Sequence, residues 1–333
     1  MKTAVIGLGY WGPNLVRNLL STDGVDMVSA ADMNEQRIKT AAKKFPNVYF
    51  TKEYRELIKS ADIDAVAIAT PVSTHFQLAK EALENGKHVL LEKPITAKVS
   101  EAEELLAIAA RKKLTLMVDH TFIYTAAVRK IKELVDSGEI GKLHYFDSVR
   151  VNLGLFQHDV NVVWDLATHD ISIMDYVVKA RPVSVAAFGV AHYNHIEDVA
   201  YVVVNFNNGT IAHFHVNWLA PVKVRQILIG GSKKMIVYDD VEPSEKIKVY
   251  DKGVNITSKE GIYDALIQYR TGDMYSPKLD STEALSLLAS HFVECVRDSK
   301  TPITGGESGL NVVKILEAAQ KSLSNNGQLV TID

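Results

Sequence analysis

Three glycines near the start of the chain constrain its fold more than any other feature. Gly7, Gly9 and Gly12 form the pattern G-x-G-x-x-G, directly after an apolar run that starts at Thr3 and before a helical pattern of leucines. In a strand-loop-helix unit the first glycine permits a tight turn, the second lets a ligand approach the backbone, and the third lets helix and strand pack closely. The sequence therefore predicts an N-terminal βαβ unit that binds phosphate at a helix N-terminus.

An acidic residue extends this pattern. Asp32 ends a second apolar run and follows Gly12 by 20 residues. An acid there binds the ribose hydroxyls of a dinucleotide and repels a 2′-phosphate, which favours NAD over NADP. A plain structural turn is the alternative interpretation of the glycines alone. The residues predicted to contact the cofactor are Gly7, Gly9, Tyr10, Trp11, Gly12, Asp32, Arg37, Thr70, Pro71, His75, Glu92, Lys93 and His120.

Two domains are expected from 333 residues, since each can then bury its own core. Strand and helix patterns alternate up to about residue 121, which predicts a doubly wound parallel sheet of the Rossmann type over 1–121. Residues 122–333 instead contain β-prone runs and a hairpin signal at Asn207-Asn208-Gly209. We predict an α+β domain there with a large, mostly antiparallel sheet that leaves one face open, and hence a homodimer or homotetramer.

The segment Glu92-Lys93-Pro94 is the first candidate for chemistry. It follows the apolar run Val89-Leu90-Leu91, which has the form of a buried parallel strand. Ligands of open α/β sheets bind at the carboxyl ends of such strands, so Lys93 is a candidate catalytic residue. Pro94 restricts Lys93 to extended conformations. The alternative is a lysine that ends a strand at the surface.

A second candidate is the pair Asp165 and His169, four residues apart at the start of an apolar helical pattern. A histidine held by a carboxylate is a competent general base near neutral pH. Asp165 as a helix cap beside a buried histidine, and metal ligation, are the alternatives. We expect no metal, because further ligands do not recur at a recognisable spacing and the polar face of a strand explains His213 and His215.

Charge and cysteine content exclude several classes of protein. A net charge of -3 gives no reason to expect nucleic acid or an anionic membrane as a partner. The single cysteine, Cys295, cannot form an internal disulfide, which favours a reducing compartment. Neither a signal peptide nor a membrane span is indicated by the apolar runs, so a cytoplasmic protein is expected.

The glycine loop, Glu92-Lys93-Pro94 and Asp165-x-x-x-His169, in that order, make the chain resemble the glucose-fructose oxidoreductase, inositol dehydrogenase and MocA (Gfo/Idh/MocA) family. The resemblance implies a Rossmann domain followed by an open-faced domain, with the nicotinamide between them. It also implies that Lys93 and His169 flank the reacting hydroxyl, with Asp165 beside the histidine. Thr168 and Ser172 depart from the glycine and aspartate that family members often carry there, which places the chain outside the inositol-dehydrogenase pattern.

Within that family the chain looks most like nucleotide-sugar 3-dehydrogenases, which oxidise the C3 hydroxyl of UDP-GlcNAc or its uronic acid in surface-polysaccharide pathways. Some relatives reoxidise their bound cofactor with 2-oxoglutarate. Family members that act on a free sugar, inositol or a dTDP-3-keto sugar, and a non-catalytic NAD-binding sensor, are the alternatives. The resemblance and the residue types together suggest substrate contacts at Lys93, Tyr124, Arg150, Asn152, Asp165, His169 and Arg225.

Overall fold

The structure is a computed structural model that describes residues 1–154, 156–157, 160–193, 195–256 and 267–332. The chain forms two compact units. The first combines Met1–Thr125 with Thr282–Lys314, and the second combines Ala126–Ser281 with Ile315–Asp333. A late segment of the chain therefore packs with the N-terminal unit, whereas the boundary after residue 121 stays a prediction.

The first unit contains a six-stranded sheet in the order β3-β2-β1-β4-β5-β6. All its pairings are parallel, which confirms the predicted doubly wound Rossmann-type sheet. The central strand β4 is buried along its whole length, as an apolar run covered on both faces should be. The strands are β1 (Lys2–Ile6), β2 (Met27–Ala31), β3 (Tyr49–Thr51), β4 (Ala65–Ile68), β5 (His88–Glu92) and β6 (Leu116–Asp119).

Helices cover this sheet and connect its strands. Asn34 caps α2, since its side chain accepts hydrogen bonds from the amides of Gln36 and Arg37. The late helix α8 joins the unit beside α1, where Arg17 forms a two-pronged ion pair with Glu283 at 2.6 and 2.9 Å. The helices are α1 (Gly12–Leu20), α2 (Glu35–Lys44), α3 (Tyr54–Lys59), α4 (Val72–Glu84), α5 (Val99–Lys112), α8 (Ala284–Asp298) and the start of α9 (Gly306–Ser324).

The second unit is built on a nine-stranded sheet in the order β14-β13-β12-β11-β7-β10-β9-β8-β15. Among the strand pairings of the described residues only β7 with β10 is parallel, so the prediction of a mostly antiparallel sheet is confirmed. The strands are β7 (Leu143–Leu153), β8 (Pro182–Val190), β9 (Val199–Phe206), β10 (Ile211–Asn217), β11 (Leu219–Gly231), β12 (Met235–Asp239), β13 (Ile247–Ile256), β14 (Ile267–Tyr275) and β15 (Val330–Thr331). Its helices are α6 (Ala126–Asp136), α7 (Thr168–Val177) and the end of α9.

The predicted hairpin is confirmed and shows how this sheet divides its two faces. β9 and β10 pair antiparallel, and Gly209 adopts a φ of +83° in the turn between them. Alternate residues of both strands, such as Val202 and Phe214, are fully buried, whereas Tyr201 and His213 lie on the opposite, more open face. In the part of the chain that the structure describes, no helix combines the length and apolarity that crossing a bilayer requires.

Candidate active site

The glycine loop lies between β1 and α1, and each of its glycines has a different surrounding. A Cβ on Gly7, whose φ is +97°, would lie 2.4 Å from the carbonyl oxygen of Ala69, and one on Gly12 would lie 1.9 Å from that of Gly7. Both positions therefore need glycine for packing within the protein. A Cβ on Gly9 would meet nothing closer than Arg37 at 4.0 Å. Packing does not explain Gly9, but close approach of a ligand phosphate does.

Asp32 is held at the end of β2 by the same loop. Its Oδ2 accepts a hydrogen bond from the Leu8 amide at 2.6 Å, and its Oδ1 accepts one from the Asn34 amide at 2.7 Å. Arg37 Nη1 lies 3.6 Å from Asp32 Oδ2. Because backbone donors fix the carboxylate beside the loop, it is placed to accept hydrogen bonds from ribose hydroxyls.

A cavity of about 660 Å³ lies beside the loop and has the size of a cofactor site. Tyr10 and Trp11 extend from the loop as exposed aromatic residues, with their rings 5.5 Å apart at a right angle. The cavity, Gly9 and the anchored Asp32 together fit a dinucleotide. The predicted cofactor residues that line the cavity are Gly7, Gly9, Asp32, Arg37, Thr70 and Pro71.

His75 connects two loops of the first unit and is only 1% exposed. Its Nδ1 lies 2.8 Å from the Pro94 carbonyl oxygen, and its Nε2 lies 2.8 Å from that of Thr70. Burial lowers the pKa of His75, which favours the neutral ring. The ring thus lies between the turn after β4 and the Lys93-Pro94 segment, and in its neutral form it donates to one of these two carbonyls.

Two buried carboxyl groups meet at the carboxyl ends of β5 and β6. Glu92 and Asp119 are partners in the strand register. Burial, followed by the charge of Asp119, raises the pKa of Glu92 well above its usual range, and burial also raises the pKa of Asp119. Asp119 Oδ2 has no partner by hydrogen-bond geometry among the described residues. A shared proton, held on Glu92 and donated to Asp119, is the arrangement that fits the raised pKa of both groups.

His120 follows Asp119 and has an unusual environment. Both of its ring nitrogens are buried and lack a hydrogen-bond partner within the described part of the chain. Burial, followed by the charge of Lys93, lowers the pKa of His120 to about 3. The ring is therefore neutral near pH 7, and it brings one donor and one acceptor to this end of the sheet. A polar group of a cofactor is a suitable partner for it.

The carboxyl pair predicts a pH-dependent effect of Glu92→Gln. Because the pKa of Glu92 is raised in the folded state, that state keeps a proton which the unfolded chain releases above about pH 4.5. Wild-type stability therefore falls as the pH rises from that value through the raised pKa. Glutamine needs no proton, so the Tm of the variant minus that of the wild type should increase from about pH 5 to about pH 8. The same change at exposed Glu103 is the control, and an unchanged difference at Glu92 would contradict the shared proton.

Asp165 and His169 lie on a continuous helical segment of the second unit. A π-helical turn over Val163–Ala167 runs directly into α7 at Thr168. Such π turns are rare and often occur at functional sites. Asp165 and His169 are both partly exposed, whereas Asp170, the next residue, is buried. The segment thus places the predicted acid and base about one turn apart, with both open to solvent.

The hydroxyl groups of Thr168 and Ser172, which precede and follow His169 in the sequence, donate hydrogen bonds to backbone carbonyls of the same helical segment. Thr168 Oγ1 donates to the Trp164 carbonyl at 2.5 Å, and Ser172 Oγ donates to the His169 carbonyl at 2.6 Å. Ser172 occupies the place where the inositol-dehydrogenase pattern has an aspartate. This chain therefore has neither the carboxylate of that pattern nor an outward-directed hydroxyl donor in its place.

The structure does not bring all predicted substrate residues to an open site. Arg150 is 3% exposed, and its guanidinium bonds Asp170 through two contacts of 2.6 and 2.9 Å, while Ser148 also donates to Asp170. Tyr124 is buried, with its hydroxyl 3.2 Å from Thr304 Oγ1. We infer structural roles for Arg150 and Tyr124 from these contacts.

Arg225 and Asn152 keep more access than Arg150. Arg225 Nη1 pairs with Asp240 at 3.3 Å, and its buried Nε has no partner among the described residues. Asn152 is partly exposed near the end of β7. These two remain candidate substrate contacts.

The sequence analysis did not predict Asp119 and Trp218 as site residues. Asp119 is the strand partner of Glu92, and the Trp218 indole donates a hydrogen bond to Asp165. The pattern of a strand shows which face a residue occupies, but it does not show which distant residue it contacts.

Comparison with known proteins agrees with this architecture. Residues 1–120 match the family described as "Oxidoreductase family, NAD-binding Rossmann fold", and residues 128–237 match the GFO/IDH/MocA C-terminal domain. The UDP-N-acetylglucosamine 3-dehydrogenase of Acidithiobacillus ferrooxidans is 27% identical over 300 residues, covering 87% of this chain and 90% of that protein. A solved structure of that dehydrogenase covers 98% of this chain and 99% of its own, with a TM-score of 0.82 and 24% identity.

Inositol dehydrogenases are similarly close. The scyllo-inositol 2-dehydrogenase (NAD(+)) of Bacillus subtilis is 26% identical over 349 residues, covering 100% of this chain and 96% of that protein. Overall similarity therefore does not distinguish between a nucleotide sugar and an inositol as the substrate.

Proposed function

Because this chain belongs to the Gfo/Idh/MocA family of NAD-dependent oxidoreductases, we propose that it oxidises the C3 hydroxyl of a nucleotide sugar, UDP-GlcNAc or its uronic acid, to the 3-keto sugar. The observation that favours this substrate over an inositol is Ser172. Its hydroxyl is bonded to the His169 carbonyl at 2.6 Å, where the inositol-dehydrogenase pattern has an aspartate. The similarity to the UDP-N-acetylglucosamine 3-dehydrogenase agrees with this substrate, but the inositol dehydrogenase is similarly close, so the choice rests on Ser172.

The residues of the first unit bind the cofactor and act on the developing alkoxide. The glycine loop would hold the pyrophosphate at the start of α1, and Asp32 would hold the adenosine ribose. When bound, NAD supplies the carbon that accepts the hydride. Lys93 stabilises the negative charge that develops on the substrate oxygen as the hydride leaves. Glu92 and Asp119 lie close enough to Lys93 for its charge to oppose the rise in the pKa of each carboxyl.

The residues of the second unit move the proton. His169 removes the proton from the hydroxyl while the C–H bond breaks, so the substrate loses one proton and one hydride. Asp165 orients the imidazole and stabilises the imidazolium that forms. Arg225 and Asn152, which are both partly exposed, are proposed to contact the sugar or its diphosphate.

The test is the absorbance of the purified protein with NAD and a panel of sugars. We expect a band near ~340 nm to grow with UDP-GlcNAc or its uronic acid, and not with myo-inositol, scyllo-inositol or free GlcNAc. Growth of the band with an inositol alone would overturn the substrate and keep the enzyme class. NAD binding without a band from any member of the panel would favour a non-catalytic NAD-binding sensor.

We propose that 2-oxoglutarate reoxidises the bound cofactor. Adding 2-oxoglutarate to the reduced protein should then remove the band near ~340 nm.

We also propose that the chain forms a homodimer or homotetramer through the open face of the nine-stranded sheet. A mass in solution equal to the 36.8 kDa of one chain would contradict this proposal. A cytoplasmic role in surface-polysaccharide synthesis suits a chain whose only cysteine is buried and free.

A further inference from the structure

Trp218 forms a hydrogen bond with the carboxylate of Asp165. Its indole Nε1 donates to Asp165 Oδ2 at 3.0 Å, and the two residues are 53 positions apart in the chain. Trp218 is only 1% exposed, whereas Asp165 is partly exposed. A buried indole N–H thus bonds the carboxylate of Asp165, which is the more exposed residue of the two.

The indole ring is held rigidly behind this contact. The Trp218 amide donates to the Asp198 carbonyl at 2.9 Å, and the Trp218 carbonyl accepts from the Gly154 amide at 3.1 Å. The ring of Phe156 packs against it at a centroid distance of 5.5 Å. A Cβ on Gly154 would lie 3.3 Å from Trp218 Cδ1, so the indole fills its space closely. The direction of the N–H bond is therefore fixed by packing.

We infer that Trp218 is a positioning residue that holds the Asp165 carboxylate in the orientation His169 requires; this inference rests on the proposed function. A buried indole N–H needs an acceptor, and a backbone carbonyl would satisfy that need equally well. Here the acceptor is instead a carboxylate oxygen, Oδ2 of Asp165, which lies one helical turn before His169. If Asp165 is held in place, the His169 imidazole that it orients needs no rearrangement when it accepts the proton.

The test compares Trp218→Phe with Trp164→Phe, which makes the same change one residue before Asp165. Phenylalanine keeps an aromatic ring but removes the donor. A hydrogen bond to a charged group is strong enough for its loss to lower kcat by about 10- to 100-fold. We expect that loss for Trp218→Phe, with KM for the sugar changed by less than about threefold, and a near wild-type kcat for Trp164→Phe. A Trp218→Phe variant with lowered Tm but unchanged kcat would overturn the inference.

A double-mutant cycle shows whether Trp218 acts through Asp165. In an Asp165→Asn background, Trp218→Phe should lower kcat no further, because the carboxylate it positions is already gone. Two independent and multiplicative losses would contradict the inference.

An NMR measurement separates failure of this inference from failure of the proposed function. The chain has three tryptophans, so the indole N–H signal missing in Trp218→Phe belongs to Trp218. That signal should shift in Asp165→Asn whatever the substrate is. An unchanged signal would show that Trp218 does not bond Asp165, and would overturn the inference. If the signal shifts but the protein oxidises no sugar of the panel, the hydrogen bond is present and the catalytic role of both residues is overturned.

Discussion

Replacing Lys93 with methionine is expected to lower kcat by at least about 100-fold while NAD still binds. Methionine keeps the length of the side chain but removes the ammonium group that stabilises the developing alkoxide. The interaction forms fully only in the transition state, so kcat should fall more than KM rises. Initial rates with the best sugar of the panel, together with NAD titrations, measure both quantities.

The matched control is Lys98→Met, five residues further along. Lys98 is 70% exposed and pairs only weakly with Glu101, at 3.9 Å. It should keep the wild-type kcat, because a solvated surface pair contributes little. A kcat for Lys93→Met within about threefold of the wild type would remove Lys93 from the transition state, even if hydride transfer itself is observed.

Replacing Arg150 with methionine is expected to reduce the free energy of unfolding of the second unit by about 3 to 5 kcal/mol. The change leaves Asp170 buried, 2% exposed, without its two guanidinium contacts. An uncompensated buried charge costs far more than the pair itself contributes, so Arg150→Met with Asp170→Leu should recover most of the loss.

Tryptophan fluorescence can follow this unit alone. Trp164 and Trp218 lie in the second unit and Trp11 in the first, so a Trp11→Phe background removes the signal of the first unit. The midpoint of the urea transition should fall for Arg150→Met with the m-value unchanged. Lys179→Met, which breaks an exposed contact of 2.9 Å to Asp136, is the control and should change stability by less than about 1 kcal/mol. An equally small effect of Arg150→Met would show that Arg150 does not hold Asp170.

Features that depend on neighbours in the chain could be predicted from the sequence. The glycine loop, the strand before it and Asp32 lie within one βαβ unit, and the structure places them as their spacing indicates. The hairpin at Gly209 was recognisable for the same reason, since a two-strand turn is specified by the residues within it. Asp165 and His169 are separated by one helical turn, which their spacing alone predicts.

Pairings between distant segments could not be predicted in this way. Glu92 meets Asp119 because β5 and β6 are neighbours in a particular register, and Trp218 meets Asp165 because β10 ends beside the π-helical turn. Arg150, a reasonable candidate for an anionic substrate, is instead bonded to a buried Asp170. The reason is physical: periodicity indicates which face of an element a side chain occupies, whereas packing determines which distant group lies opposite it. The residue types of the site are therefore visible in the chain, but their hydrogen-bond partners, burial and protonation follow from tertiary packing.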